Sequence, residues 1–285
     1  MDYRYSLKKG GKKFICPSCG DKRKTFVPYV DEHKNIVDVT KYGRCERINS
    51  CGYCEYPKTN PNEFRPPKDV VYIPPKLPDY IKKEIVEKTF SDFRNNIFMQ
   101  FLIKTFDGQI AMELQEKYNI GTTKNGGTIF WQQDRWQRFR TGKVITYTQN
   151  GHRDKNRLPW FIHSKLKNDF NLQQCFFGLH LVDGTKPVAL CESEKTAVMM
   201  SIFNPDFIWI ASGGSEMLST ERLAELPRLD KVFADNGQFA LWEEKTRNFA
   251  GRQMDVSVDN AVIDGVLENG SDILDLVLYN KNLQP

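Results

Sequence analysis

The run Lys186-Pro187-Val188-Ala189-Leu190-Cys191-Glu192-Ser193-Glu194-Lys195-Thr196-Ala197 joins an apolar strand to a carboxylate and then turns at once into a helix. A strand ending on Glu192 delivers that side chain to the carboxyl edge of a sheet, where open α/β folds hold their ligands. The layout recurs where Lys231-Val232-Phe233-Ala234 ends on Asp235-Asn236-Gly237. Two strands that each bring an acid to one edge can hold a hard divalent cation such as Mg2+. Glu192 and Asp235 are therefore the candidate catalytic acids, with Lys195 beside them. Glu194 and Asp272 are candidate further ligands for Mg2+ or Mn2+. The plainer alternative is a pair of surface acids at loop starts.

A second chemistry sits near the N-terminus. Cys16, Cys19, Cys45, Cys51 and Cys54 fall within the first sixty residues, and only two of the chain's 7 cysteines lie elsewhere. In a reducing compartment such clusters bind metal more often than they form disulfides. Cys16-Pro17-Ser18-Cys19-Gly20 is a knuckle of two thiolates and a glycine that tolerates the tight backbone. A tetrahedral Zn2+ takes four ligands, and five thiols are on offer. The C-x-x-C spacing pairs Cys51 with Cys54, whereas Gly52, standing where Gly20 stands, pairs Cys45 with Cys51; both sets stay open.

The net charge of +5 conceals a partition. Residues 1–58 carry 13 Lys/Arg against 7 Asp/Glu, and residues 131–167 carry 9 against 2. Residues 181–285 carry 9 against 17. Two basic stretches joined to an acidic region suit a polyanion held against a carboxylate metal site. In the first stretch Lys22, Arg23 and Lys24, with Phe26 and Tyr29, form a basic and aromatic strand suited to a nucleic-acid backbone and its bases. In the second, Arg138, Arg140, Lys143, Arg153, Lys155, Arg157 and Lys165 are nearly unopposed by acids and interleaved with Trp131, Trp136 and Trp160. They suit phosphate neutralisation in a groove, with Arg138 and Arg140 at the surface. Phe130 and Ile145 are assigned to the core.

These side chains need elements to position them. Prolines crowd residues 57–78, too densely for a helix or sheet interior, so 59–78 reads as a linker. Helices are predicted over 79–90 with Asp79 as cap, over 95–106, and from 108 to Tyr118, ending at Gly121. Strands follow from Thr128 to Thr148, with Thr141-Gly142 as their turn. Beyond residue 181, strands at 187–191, 207–211, 231–234 and 255–258 alternate with helices near 194–203, 219–226, 238–250 and 271–280. That rhythm implies a mostly parallel sheet with helices on both faces. The domains are thus 1–58, a basic α+β region over 79–180, and an α/β domain over 181–285. With no apolar run near about eighteen residues and no apolar N-terminal core, the sequence predicts a cytoplasmic protein without membrane contact.

The three parts, in this order, resemble the zinc-ribbon plus Toprim architecture of bacterial replicative primases, and more closely a family of primase-like Toprim proteins. Cys16-Pro17-Ser18-Cys19 with Cys51-Gly52-Tyr53-Cys54 resembles the primase zinc ribbon. Trp160 to Lys165 through Phe176-Phe177-Gly178-Leu179 is loosely similar to the motif that precedes Toprim. Glu192 to Ala197 resembles the Toprim glutamate motif and Asp235-Asn236-Gly237 its paired-aspartate motif, with Asp272 or Asp275 as the trailing acid. The chain departs from the pattern at Gly237 and Thr196, where acids are usual. The resemblance implies a Rossmann-like Toprim domain, structural Zn2+ and Mg2+- or Mn2+-dependent nucleotidyl transfer. It implies single-stranded DNA or RNA and nucleoside triphosphates as partners, with a helicase as a further candidate. A Toprim nuclease and a non-enzymatic nucleic-acid-binding protein are the alternatives.

Overall fold

A computed structural model describes residues 4–47, 50–57 and 77–283. Most of the expected linker, 58–76, lies outside them. The chain divides into two units, Met1–Pro74 and Pro75–Pro285.

In the first unit, β1 (Ser6–Leu7), β2 (Phe26–Val30), β3 (Gly43–Cys45) and β4 (Cys54–Glu55) form an antiparallel sheet in chain order. Its small core is Cys16, Phe26 and Cys45, with Phe14, Cys51 and Tyr53 packed against it. Gly43 is required there, because a Cβ would collide with the Phe26 ring and the Val27 carbonyl. Phe26 and Tyr29 are 0% and 5% exposed, so they build the ribbon and cannot stack on bases as the sequence suggested.

The second unit opens with α1 (Lys83–Glu87), α2 (Ile97–Thr105) and α3 (Gly108–Tyr118). The predicted helix over 79–90 is shorter because Ile81 bridges Phe139, and Asp79 accepts from Lys167 Nζ and the Asn171 amide instead of capping. The Asn96 and Asp107 side chains cap α2 and α3. Helix α3 stops at Asn119 in the left-handed region (φ 51°), and Gly121 belongs to the strand that follows. Strands β5 (Ile120–Thr122), β6 (Thr128–Gln133), β7 (Phe139–Ile145) and β8 (Trp160–Phe161) then form an antiparallel sheet in chain order. Its β6–β7 turn lies at 134–137, not at Thr141-Gly142. Asp134 Oδ1 accepts from the Trp136 and Arg138 amides, and Gln137 takes φ 63°. Gly142 sits in mid-strand, paired with Trp131, because a Cβ would strike Ile129 and the Trp131 ring.

The remaining chain alternates β9 (Val188–Cys191), α4 (Glu194–Phe203), β10 (Ile208–Ala211), α5 (Thr220–Leu223), β11 (Lys231–Val232), α6 (Phe239–Thr246), β12 (Gln253–Met254), α7 (Ser257–Ile263) and α8 (Ile273–Asn280). The four strands are parallel, in the order β10-β9-β11-β12. The strand expected at 255–258 lies at Gln253–Met254 instead, because Asp255 Oδ1 accepts the Ser257 amide and turns the chain into α7. Phe177 exchanges both backbone hydrogen bonds with Ala211, extending the parallel sheet at its β10 edge. One core runs through both sheets, from Phe98 and Phe130 through Phe177 to Trp209 and Phe233. Phe130 and Ile145 lie within it, 0% and 6% exposed. No helix among the described residues is long and apolar enough to cross a membrane.

Candidate functional site

Strand order 2-1-3-4 puts the chain's reversal of direction between β9 and β11, the point where open α/β sheets form a ligand crevice beyond their carboxyl ends. Glu192 follows β9 and Asp235 follows β11. The pairing of Leu190 with Val232, continued by the Phe233 amide donating to the Leu190 carbonyl (2.8 Å), makes them neighbours across that crevice. Asp272 enters from the N-terminus of α8, where it closes a capping box with Asp275 and accepts from Thr196 Oγ1.

Electrostatics binds these groups together. Burial, then the nearby Asp272, Glu192 and Asp275 charges, push the Asp235 carboxyl up to about 8. Burial raises Glu192 and Asp272 as well, against a backbone donor at Ser215 for Glu192 and the Thr196 hydroxyl for Asp272. Two lysines answer this charge in part. Lys143 Nζ donates to Glu194 Oε2 (3.0 Å) and to the Gly213 carbonyl (2.7 Å). Lys195 Nζ donates to the Gly151 carbonyl (2.8 Å) over the Phe101 ring, and burial lowers its pKa. Glu194 is 1% exposed and its Oε1 has no hydrogen-bond partner. Carboxylates gathered with too little positive charge form an all-oxygen donor set suited to a hard divalent cation. Among the described residues, however, the group of three or more metal-ligating atoms within 4.8 Å of one another is the cysteine set of the ribbon, and these acids stand further apart.

The loop Asp235-Asn236-Gly237 is braced by residues that the sequence did not single out. Asn236 Nδ2 donates to Asp259 Oδ1 (2.6 Å), the Asn236 amide to the Ser271 carbonyl (3.0 Å), and the Gly270 amide to Asn236 Oδ1 (3.2 Å). Gly237 adopts φ +80°, so an aspartate there would be strained even though the space is open. On the other side, buried Arg222 donates to the carbonyls of Ser212, Met217 and Cys175, fixing the Gly213-Gly214 loop. Sequence offers no local signal for Asp259 or Arg222, since their partners lie far along the chain.

In the first unit the ligand atoms of Cys16, Cys19, Cys45 and Cys51 all lie within 4.8 Å of one another. Cys16 and Cys51 sulfurs are 3.8 Å apart, close to the ~3.8 Å edge of a tetrahedron with ~2.3 Å Zn–S bonds. Gly20 and Gly52 take matching left-handed φ values of 64° and 65°, the equivalence that favours Cys45 over Cys54. Cys54 stands exposed on β4, outside the cluster. Zn2+ fits these four thiols.

The basic residues divide. Arg140 is not at the surface: its side chain is 2% exposed, bound to Asp134 (2.9 Å), to the Gln173 carbonyl and to Glu225 (3.4 Å). Arg138 shares Asp134 and lies between the Tyr80 and Trp136 rings, 4.4 Å and 4.8 Å from their centroids. Lys143 is taken by Glu194, and Arg157 lies 3.7 Å from Asp154. The second stretch is therefore opposed by acids more than its composition suggests. Arg153, Lys155, Arg157 and Lys165 remain exposed. In the ribbon Arg23 and Arg47 bind Asp21, whose carboxyl they hold well below the usual range, while Lys22 and Lys24 are exposed.

Residues 3–65 match the family described as a putative zinc β-ribbon finger, and residues 96–234 match a domain of unknown function (DUF6371). The second match runs from the α2 cap through β11 and stops one residue before Asp235. No curated protein matches the chain. The crystal structure of the primase fragment of the bacteriophage T7 primase-helicase protein is similar at 14% identity and TM-score 0.40, covering 89% of this chain and 95% of that one. The zinc-binding and RNA polymerase domains of the Aquifex aeolicus primase are similar at 10% identity and TM-score 0.38, covering 97% and 80%. The likeness is loose, and the functional reading rests on the chemistry of the two sites.

Proposed function

We propose that this chain is a zinc-ribbon protein with a Toprim-type centre that binds single-stranded nucleic acid and carries out Mg2+- or Mn2+-dependent nucleotidyl transfer, as primases do. The observation that supports the reading is that Glu192 and Asp235 follow adjacent strands at the reversal point of a parallel sheet, with burial and the nearby Asp272 and Glu192 charges pushing Asp235 up to about 8. Asp235 and Asp272, with Glu192 or Glu194, would hold the cation, which when bound supplies Lewis-acid neutralisation of phosphate charge. Glu192 is suited to take the proton of an attacking hydroxyl, because burial keeps its carboxyl more basic than usual. Lys195 holds the 151 turn against α4, and Lys143 keeps Glu194 and the 213 loop in place. Exposed Lys22, Lys24, Arg153, Arg157 and Lys165 would neutralise the nucleic-acid backbone.

A non-enzymatic binding protein is the second reading. Gly237 and Thr196 favour it, because each stands where a carboxylate would strengthen the metal site. The test is template-directed incorporation of labelled nucleotide on single-stranded DNA with Mg2+ or Mn2+. The parent should extend and Glu192→Gln should not, while both bind DNA alike. Equal incorporation by the two, or incorporation that survives a chelator, refutes the centre. Metal-dependent cutting without incorporation identifies a nuclease, and binding without chemistry identifies the second reading.

A further inference from the structure

An apolar hollow of about 470 Å3 lies on the zinc ribbon, walled by Ile15, Pro17 and Val39 and rimmed by Lys12, Lys13 and Lys24. We propose that this hollow is a docking site for an acidic peptide segment of a partner protein, which seats aliphatic side chains between Ile15 and Val39 and sets its carboxylates against the lysines. The inference lies outside the carboxylate centre and does not depend on it.

The hollow follows from the way the first knuckle is held. Phe14 exchanges both backbone hydrogen bonds with Phe26 (2.9 Å each), which pins the chain beside β2. Burial then alternates as it does along a strand. Phe14 packs on the ribbon core and Cys16 is 1% exposed, which leaves Ile15 facing outward at 53%. The opposite wall belongs to the turn at 38–42. The Asp38 side chain accepts from the Thr40 amide (2.8 Å), and its carbonyl accepts from the Tyr42 amide (2.9 Å). Tyr53 Oη donates to the Lys41 carbonyl (2.9 Å) and ties that turn to the second knuckle. Both walls are thus set in advance, so binding has little ordering of this chain to offset. Covering Ile15 and Val39 is favourable in proportion to the apolar area removed from water.

Charge selects the partner. Lys12 and Lys24 stand exposed, and Lys8, Lys12 and Lys13 also line the adjoining small cavity at Gly10 and Gly11. Among the described residues that line these two cavities, Glu46 is the one acid, and it pairs with Lys13 (2.7 Å). Lysines so weakly opposed draw in an anionic partner. A nucleic-acid strand is anionic too, but its bases need exposed ring faces on which to stack. Phe26 is buried and Phe14 is turned onto the core, so the hollow offers aliphatic walls instead of a stacking platform. A peptide that carries both carboxylates and aliphatic side chains meets both demands. Its apolar anchors supply affinity at the centre, and the rim lysines steer the encounter.

The test uses the full chain and three probes. One is a fluorescein-labelled peptide of Asp and Glu with a pair of leucines one helical turn apart, the second has serine in place of each leucine, and the third is oligothymidylate. Fluorescence anisotropy reads affinity, and methyl NMR at Ile15 and Val39 reads the place of binding. The leucine peptide should shift both methyl signals and bind about tenfold more tightly than the serine peptide. Ile15→Ser and Lys12→Glu should each weaken it about tenfold at unchanged zinc content. Lys12 is exposed on the rim, so its variant serves even where loss of Ile15 disturbs the knuckle. Lys104→Glu, the same change of charge at an exposed site in the second unit, should leave affinity unaltered. Equal binding of the two peptides, no binding of the leucine peptide, or binding that neither ribbon variant weakens overturns the inference. Methyl shifts caused by oligothymidylate and not by the peptide also overturn it, and assign the hollow to nucleic acid.

Discussion

Asp134 has two guanidinium groups to satisfy, and its own side chain is fully buried. Its carboxylate accepts from Arg138 and Arg140 while its other oxygen closes the β6–β7 turn. Removing one partner of a buried pair leaves an uncompensated charge, at a cost of about 3–5 kcal/mol. Asp134→Ala should therefore lower stability by about 3 kcal/mol or more, read from denaturant unfolding. A loss below about 1 kcal/mol would mean that the arginines find water or other partners. Asp235 makes a pH prediction of opposite sign to the usual carboxylate. Its folded pKa, about 8, lies above the ordinary value, so the folded protein keeps a proton there from mildly acidic pH up to about 8. A cation must displace that proton. Mn2+ affinity should rise with pH by up to about tenfold per unit and level off above about 8, as calorimetry would show. A flat profile below that point would remove Asp235 from the ligand set.

Elements explain which of these residues could be read from sequence. Glu192 and Asp235 were legible because the signal is local: an apolar run, an acid, then a helix start. The cap of α4 is equally local, with Ser193 accepting from the Thr196 amide (3.2 Å). Arg140 was misread because its partner depends on where the hairpin turns. A turn set at 141–142 points Arg140 outward, whereas the turn at 134–137 folds Asp134 back onto it. The first two residues of α7 were read as the end of a strand and the rest of that helix, which carries Asp259, was not predicted, so the brace under Asn236 went unseen. Asp272 was legible as an acid but not as a cap, and that double role can be tested. Its side chain accepts from the Leu274 and Asp275 amides (2.8 and 3.1 Å). Asp272→Asn keeps acceptors for the cap and removes the charge, whereas Asp272→Ala removes both. The alanine variant should be the less stable by about 1 kcal/mol, while both lose Mn2+ affinity. Equal stability of the two would mean that the cap contributes nothing to α8.

At the scale of the molecule the two units draw their stability from different sources. The second has a continuous core running through two sheets. Among the described residues the first has one small cluster, Cys16, Phe26 and Cys45, with Tyr29 and Val30 buried beside it, and a sheet of two- to five-residue strands holds itself together poorly on that core. Its Cys16 thiol also resists ionising alone, since burial pushes it up to about 11. Zn2+ resolves both difficulties, drawing off the thiol protons and replacing the missing core with four bonds. The protein should accordingly carry one zinc per chain by elemental analysis. Cys45→Ser should release it, and Cys54→Ser should not, because Cys54 stands outside the cluster. Stripping the metal should abolish the slow amide exchange of residues 4–47 and 50–57 and leave exchange in 77–283 unchanged. Zinc lost from Cys54→Ser and kept in Cys45→Ser would assign the fourth ligand to Cys54 instead. Exchange in 4–47 and 50–57 that stays slow without metal would mean that the ribbon folds on its apolar contacts alone.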